Sequence, residues 1–86
     1  MNLRQQKRRL ARTFAHAVFL GRERQKLTQE ETAARVFISL RWYQKIEAGQ
    51  VLPSFFVGIC LMHLLDITPE TLVGEVIADV SVPTHS

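Results

Sequence analysis

The chain has 86 residues, a formal net charge of +3 and one cysteine, and 47% of its residues are hydrophobic. A chain of this length forms one domain, near the smallest size that folds without crosslinks. The single cysteine excludes an intrachain disulfide and a cysteine-rich zinc site, so we expect neither a metal nor another cofactor, and a reducing, cytoplasmic environment.

No segment of the sequence predicts an association with membranes. The longest apolar run, residues 55–65, is too short to span a bilayer. The basic start followed by apolar residues 14–20 resembles a signal peptide only superficially. Where a small-residue cleavage site would lie, basic residues follow instead: Arg22, Arg24 and Lys26.

The positive charge is concentrated at the start of the chain. Residues 1–26 carry eight basic residues and one acidic residue, whereas the remainder carries three basic and seven acidic residues. A basic front end favours a polyanionic partner. We interpret residues 1–12 as a basic extension, which is either a solvated, frayed helical segment or an arm that lies on nucleic-acid phosphates or enters a minor groove.

Residues 13–26 are predicted to form the first helix of the core. Phe14, Val18 and the small Gly21 recur on its inward face. Two further apolar residues lie outside this face and could pack under the extension, the C-terminal tail or a second subunit: Phe19 and Leu20.

Local signals predict a short second helix that begins at Gln29. Thr28 is suited to cap it, and Glu31 completes a capping box. The helix carries a narrow apolar strip with a small residue where another helix can approach closely, formed by Thr32, Ala33 and Val36.

A third short helix follows a tight turn. Ser39 offers its N-cap and Gly49 its C-terminal cap, while Tyr43 and Ile46 share one face that we expect to be buried. Two helices this short need flanking helices, and a pair with a donor-rich open side is the layout of a DNA-reading helix-turn-helix. The residues left open are Leu40, Arg41, Gln44 and Lys45.

The fourth predicted helix starts at Pro53 and Ser54, ends near Leu65, and is apolar on nearly every side. A domain of this size can hardly bury such a helix completely, so we expect it to associate with another molecule. Cys60 and His63 lie three residues apart without a further ligand nearby, which does not favour a metal site. The candidates for a dimer interface are Phe56, Cys60 and Leu64, with Val76 and Val80 from the tail.

Thr68 and Pro69 are suited to start a last short helix, with Leu72 and Val73 inward and Gly74 at its end. Residues 75–86 form the C-terminal tail, a possible dimerisation segment. Its alternating valines allow a strand that pairs with its own copy, a helical continuation or a mobile end.

Many positions between about residue 14 and residue 72 agree in one register with a known DNA-binding family. They are Leu27, Thr28, Gln29, Glu30, Glu31, Ala33, Ile38, Ser39, Ile46, Glu47, Ala48, Gly49, Pro53 and Ser54. In these residues the chain resembles the Cro/C1-type (lambda-repressor-like, xenobiotic-response-element) family. The resemblance implies an all-α, compact five-helix domain over residues 13–74 that contains the helix-turn-helix.

Two positions depart from the family pattern. Thr32 stands where the family usually has leucine, and Phe37 stands where it usually has the glycine of the turn. A bulky residue at the turn must take a left-handed backbone conformation at some cost, or the turn must differ.

The resemblance also implies residue roles, beginning with an ion pair between Arg22 and Glu47. By geometry Arg41 can bond guanine O6 and N7, and Trp42 is interpreted as a half-buried brace. Of the remaining base-reading candidates, Gln44 or Lys45 can reach base edges or phosphates and Leu40 can touch a thymine methyl group. The candidates for contact with the DNA backbone are Gln29, Ser39, Gln50, Arg8 and Arg9.

Two functions follow as hypotheses. The first is a sequence-specific double-stranded DNA-binding transcriptional regulator, a repressor more often than an activator, that acts as a homodimer on a palindromic operator. Small members of the resembling family include phage repressors, controllers of restriction-modification operons and antitoxins, which implies a cytoplasmic bacterial or phage protein, nucleoid-associated when bound. The second is an antitoxin-like module that binds a cognate protein, with DNA binding secondary.

We do not expect an enzyme. The sequence has no nucleophile with a base at motif spacing and no glycine-rich phosphate loop, and the domain is too small to enclose a typical pocket.

Overall fold

The computed structural model describes residues 2–72, and these residues form five α-helices without a strand. The predicted all-α class and the five helices are therefore confirmed. The predictions for Val73, Gly74, Val76, Val80 and the rest of the tail lie outside the described residues. The helices are α1 (Leu3–Arg24), α2 (Gln29–Arg35), α3 (Leu40–Glu47), α4 (Phe55–Leu65) and α5 (Pro69–Leu72).

Helix α1 joins the predicted basic extension to the predicted first core helix without a break. It begins at Leu3 rather than Thr13, which corrects the predicted start of the first helix. The side chain of Asn2 accepts a hydrogen bond from the Gln5 amide at 2.8 Å, and the Gln5 side chain accepts one from the Asn2 amide at 3.2 Å. This capping box, followed by residues without proline or glycine up to Gly21, lets the helix run through the basic segment.

Each of the first three helices is followed, two residues after its last residue, by a residue with a left-handed backbone: Lys26 (φ 58°), Phe37 (φ 66°) and Gly49 (φ 77°). At the end of α2, the Phe37 amide donates to the carbonyl of Ala34 and the Ile38 amide to that of Ala33, which is the hydrogen-bond pattern of a Schellman motif. Phe37 therefore takes the conformation that its position demands. A side chain with a Cβ atom adopts it at a cost of roughly 1–2 kcal/mol.

The core is built around α1, against which α3 and α4 pack, and α2 packs on α3. The faces predicted to be buried in the first three helices are buried, and α4 buries one of its sides as well. Residues with at most 1% of their surface exposed are Val18, Thr32, Val36, Tyr43, Ile46, Leu61 and Leu65.

Gly21 marks the closest approach between α1 and the end of α4. A Cβ atom at this position would lie 2.8 Å from the Cβ atom of Leu65. Only a residue without a side chain fits here, which explains the glycine that the sequence placed on the inward face. Within residues 2–72, no helix combines the length and the apolar character needed to cross a membrane.

Candidate nucleic-acid interface

Helix α3 is anchored on one side and open on the other. Tyr43 and Ile46 are 0% and 1% exposed, as predicted for the buried face. Ser39 caps the helix by accepting a hydrogen bond from the Trp42 amide at 3.1 Å. On the opposite side Arg41 and Gln44 are exposed, whereas Leu40 and Lys45 are partly exposed. The four predicted base-reading residues therefore share one accessible surface.

A buried ion pair fixes α3 to α1. Arg22 donates from Nε to Glu47 Oε2 at 2.8 Å and from Nη2 to Glu47 Oε1 at 2.9 Å, so the predicted pair is present and bidentate. The Arg22 and Glu47 side chains are 12% and 8% exposed. Tyr43 also donates its hydroxyl to Glu47. The end of α3 is consequently held from behind by charged and polar contacts as well as by apolar packing.

The same carboxylate begins a chain of hydrogen bonds that reaches the open side of α3. Gln29 Nε2 donates to Glu47 Oε1 at 3.0 Å, and Gln44 Nε2 donates to Gln29 Oε1 at 3.1 Å. The contact of Gln29 with a phosphate stays a prediction. Its side-chain amide lies between Glu47 and Gln44, where it restricts the orientation of Gln44.

The charges in this network stabilise one another. Burial opposes ionisation of Glu47, but hydrogen bonds from Arg22, Tyr43 and Gln29 outweigh it and hold the pKa of Glu47 below its usual value. The hydrogen bond to Glu47 raises the pKa of Arg22, and burial together with Glu47 raises the pKa of Tyr43. Arg22 and Glu47 are therefore charged, and Tyr43 neutral, around neutral pH.

The ends of α3 present further polar groups. Ser39 and Gln50 are both exposed, one at the start of the helix and one just after Gly49. Lys45 Nζ lies 5.9 Å from the centroid of the Trp42 ring, which is 39% exposed, so the indole holds the ammonium group by a cation–π contact. Trp42 thus braces a side chain of the same helix, while much of its ring remains accessible.

The remaining predicted DNA-backbone residues, Arg8 and Arg9, lie on α1. Arg8 is exposed, whereas Arg9 is partly buried and takes part in an interaction within the protein. The two residues therefore differ in how freely they can meet a ligand.

The accessible side of α4 is shifted from the predicted one. Among the predicted interface residues of this helix, Phe56 is 60% exposed, whereas Cys60 and Leu64 are only partly exposed. Sequence reasoning missed Phe55 and Ile59, which are 84% and 48% exposed. A helix that is apolar on every side gives no polar face from which its orientation could have been inferred.

An aromatic residue of the turn between α2 and α3 extends this apolar surface. The rings of Phe37 and Phe56 are stacked with centroids 6.3 Å apart, and Phe37 is 77% exposed. The sequence marks Phe37 only as an unusual turn residue, because its contact with Phe56 joins positions far apart in the chain.

In the part of the chain that the structure describes, no group of three or more His, Cys, Asp or Glu side chains is placed to hold a metal ion. Comparison with protein-family models, with curated proteins and with solved structures gave no match. What the chain does is therefore inferred from its own residues and their geometry.

Proposed function

We propose that the chain is a sequence-specific double-stranded DNA-binding transcriptional regulator in which α2 and α3 form a helix-turn-helix of the lambda-repressor-like kind. The observation that carries this proposal is the open face of α3. It presents Arg41 and Gln44 to solvent while Tyr43, Ile46 and Glu47 fix the helix from behind.

The dimensions of α3 suit a major groove. Its 8 residues make a helix about 12 Å long, and a helix with side chains is about 10–12 Å wide, close to the groove width of about 12 Å. In this position Arg41 can donate two hydrogen bonds to guanine O6 and N7. Gln44 can read adenine in the same bidentate way, and Leu40 can contact a thymine methyl group.

The hydrogen-bonded chain from Glu47 through Gln29 to Gln44 supports this role. An amide held by a neighbour loses less rotational freedom when it binds a base than an amide that moves freely. Ser39, Gln50 and Lys45 lie beside the reading face and are suited to donate to phosphates on either side of the groove.

We propose further that the protein acts as a homodimer through the exposed side of α4. Phe55, Phe56 and Ile59 form a contiguous apolar surface with Phe37, and contiguous surfaces of this kind often mark protein interfaces. A two-fold axis would place two copies of α3 in major grooves about 34 Å apart on a palindromic operator. Occupation of a promoter in this way represses transcription.

The same apolar surface favours a second candidate function, an antitoxin-like module that binds a cognate protein. In that case Phe37 and Phe56 would contact the partner, and the polar face of α3 would be secondary. A stoichiometric protein that copurifies with the chain, together with unchanged DNA binding of an Arg41→Ala variant, would favour this alternative.

Selection of bound sequences from a pool of random duplexes tests the leading proposal. We expect an enriched palindrome with half-sites about one helical turn apart. Arg41→Ala should lose discrimination at one base pair of each half-site by about 1–3 kcal/mol, whereas Lys45→Ala should weaken all sequences alike if Lys45 contacts a phosphate.

Arg35→Ala is a matched control, because Arg35 is an exposed arginine at the end of α2 and outside the reading face. It should leave the selected sequence unchanged. A pool without enrichment would overturn the proposal, and equal losses on every sequence for Arg41→Ala and Lys45→Ala would remove Arg41 from base reading.

A further inference from the structure

The first half of α1 carries a row of basic side chains with one orientation. Arg4, Arg8 and Arg12 follow one another at four-residue spacing, so they lie on the same face of the helix, and Lys7 lies beside them. All four are exposed, and the first acidic residue of the chain is Glu23. We call Arg4, Lys7, Arg8 and Arg12 the basic stripe.

The basic stripe is not compensated within the described protein. The ion pairs among residues 2–72 are made by Arg22 with Glu23 and Glu47, and no residue of the stripe takes part in them. Like charges at four-residue spacing destabilise a helix. Because this spacing of positive charges destabilises α1, we infer that a partner supplies the compensating negative charges.

The stripe belongs to a helix that is continuous with the core. Asn2 caps α1 in front of Arg4, and Ala11 and Phe14, the first two buried residues of the helix, are 6% and 4% exposed. The basic side chains thus project from a helix anchored at one end and not from an extended arm. A helix about 10–12 Å wide does not fit an undistorted minor groove about 6 Å wide, which favours contact with the DNA backbone.

The stripe borders the open face of α3. Ala48 continues the face of Arg41 and Gln44 by one turn, and it lines the same cleft as Arg12. A Cβ atom at Gly49 would lie 3.5 Å from the Cα atom of Arg12, so α1 contacts the chain directly after α3.

The loop after α3 continues this border. Gln50 lines a second cleft together with Arg4, Lys7 and Arg8. The reading face and the basic stripe are therefore neighbours on one surface of the molecule.

We propose that the basic stripe is a preformed phosphate-binding surface that follows the DNA backbone beside the groove entered by α3. This inference rests on the proposed function. Arg4, Arg8 and Arg12 are spread over about 12 Å of the helix axis. If each arginine contacts one phosphate of the neighbouring strand, the stripe meets about three phosphates.

A duplex fits the stripe better than an anionic membrane. A helix that lies on a lipid surface inserts a broad apolar face. In α1 the inward residues Ala11 and Phe14 are occupied by the core, and among the residues that the structure describes Leu3 is the one exposed large apolar residue beside the stripe. The exposed side of this part of α1 is a row of cationic hydrogen-bond donors, which suits the regular row of phosphates on a duplex.

The test is the salt dependence of binding to a duplex. A variant with Arg4→Gln, Arg8→Gln and Arg12→Gln is compared with the unaltered chain on the selected operator and on a random-sequence duplex, between about 50 and 200 mM salt. Affinity falls as salt rises, and each lost phosphate contact makes the slope of log affinity against log salt less steep by about 0.9. We therefore expect the slope of the triple variant to be less steep by about 2.7. Both duplexes should lose the same factor in affinity, because phosphates carry no sequence information.

Arg35→Gln serves as the matched control and should leave the slope unchanged, and circular dichroism verifies that the triple variant is folded. A folded triple variant with an unchanged slope would overturn the inference while leaving the proposed function intact, provided that the unaltered chain still selects a sequence. Failure of the unaltered chain to select any sequence would overturn the proposed function and this inference with it. Tighter binding to phosphatidylserine vesicles or to single-stranded RNA than to the random duplex would contradict duplex DNA as the partner.

Discussion

Replacement of Arg22 by methionine tests whether the ion pair between α1 and α3 holds the proposed reading helix in place. The change keeps an unbranched side chain of comparable length but removes the charge and every hydrogen bond that the guanidinium donates. Glu47, whose side chain is 8% exposed, would then be a buried carboxylate without its cationic partner.

The expected loss of stability depends on the hydrogen bonds that Glu47 retains in the variant. Removal of one partner of a buried ion pair costs about 3–5 kcal/mol. Hydrogen bonds from Tyr43 and Gln29 would remain, so we expect the lower end of this range, about 3 kcal/mol. The carbonyl of Leu27 also loses a hydrogen bond from Arg22 Nη1 of 3.0 Å, which adds about 1 kcal/mol. A loss of this size is a large part of the roughly 5–15 kcal/mol that stabilises a typical domain.

Urea unfolding followed by circular dichroism measures the effect in a double-mutant cycle. The variants are Arg22→Met, Glu47→Leu and the two combined, with Arg35→Met as an exposed control that should change stability by less than about 0.5 kcal/mol. The combined variant should be more stable than the sum of the single losses implies, by about 1–3 kcal/mol, because neither charge is then left alone. The reasoning fails if Arg22→Met costs no more than the control, or if the single losses simply add.

Two other predictions concern acid stability and association. The lowered pKa of Glu47 means that the stability contributed by its ionised form is complete above the ordinary glutamate value of about 4.3 and is lost as the pH falls toward the lowered pKa. When the pH is lowered from neutral to about 3, the free energy of unfolding should therefore fall less in Glu47→Gln than in the unaltered chain, as measured by urea unfolding. An equal fall in both proteins would contradict the lowered pKa of Glu47. Phe56→Glu should shift the sedimentation profile toward monomer because it puts a charge into the apolar surface. The control Ala34→Glu, at an exposed position of α2, should leave the sedimentation profile unchanged. A profile unchanged by Phe56→Glu would remove this side of α4 from the interface.

The helix ends could be predicted because their chemistry is local. Thr28 and Glu31 form the capping box that starts α2, Ser39 caps α3, and Gly49 takes the left-handed position after α3. At Thr28, Glu31 and Ser39 the side chain and the backbone group that it satisfies lie within a few residues. A capping box at Asn2 starts α1 in the same way. The prediction began this helix at residue 13 because the basic residues before it were interpreted as a separate extension.

Helix orientation could be predicted only where the helix has two different sides. The apolar strips of α1, α2 and α3 identified the buried faces, and Tyr43 and Ile46 are buried as expected. Helix α4 has no polar side, so its sequence could not distinguish the exposed Phe55 and Ile59 from the partly exposed Cys60 and Leu64. That choice depends on which side meets α1, and it is made by packing.

By itself, the sequence determined the caps of α2 and α3, the buried faces of the first three helices and the polar side chains that α3 presents. Only the tertiary structure decided that Gln29 links Glu47 to Gln44, that Phe37 stacks on Phe56, and that the basic stripe lies beside the end of α3. The physical reason is range: caps and amphipathic faces are set by residues within one or two turns, whereas these contacts join residues that come together only when the core closes.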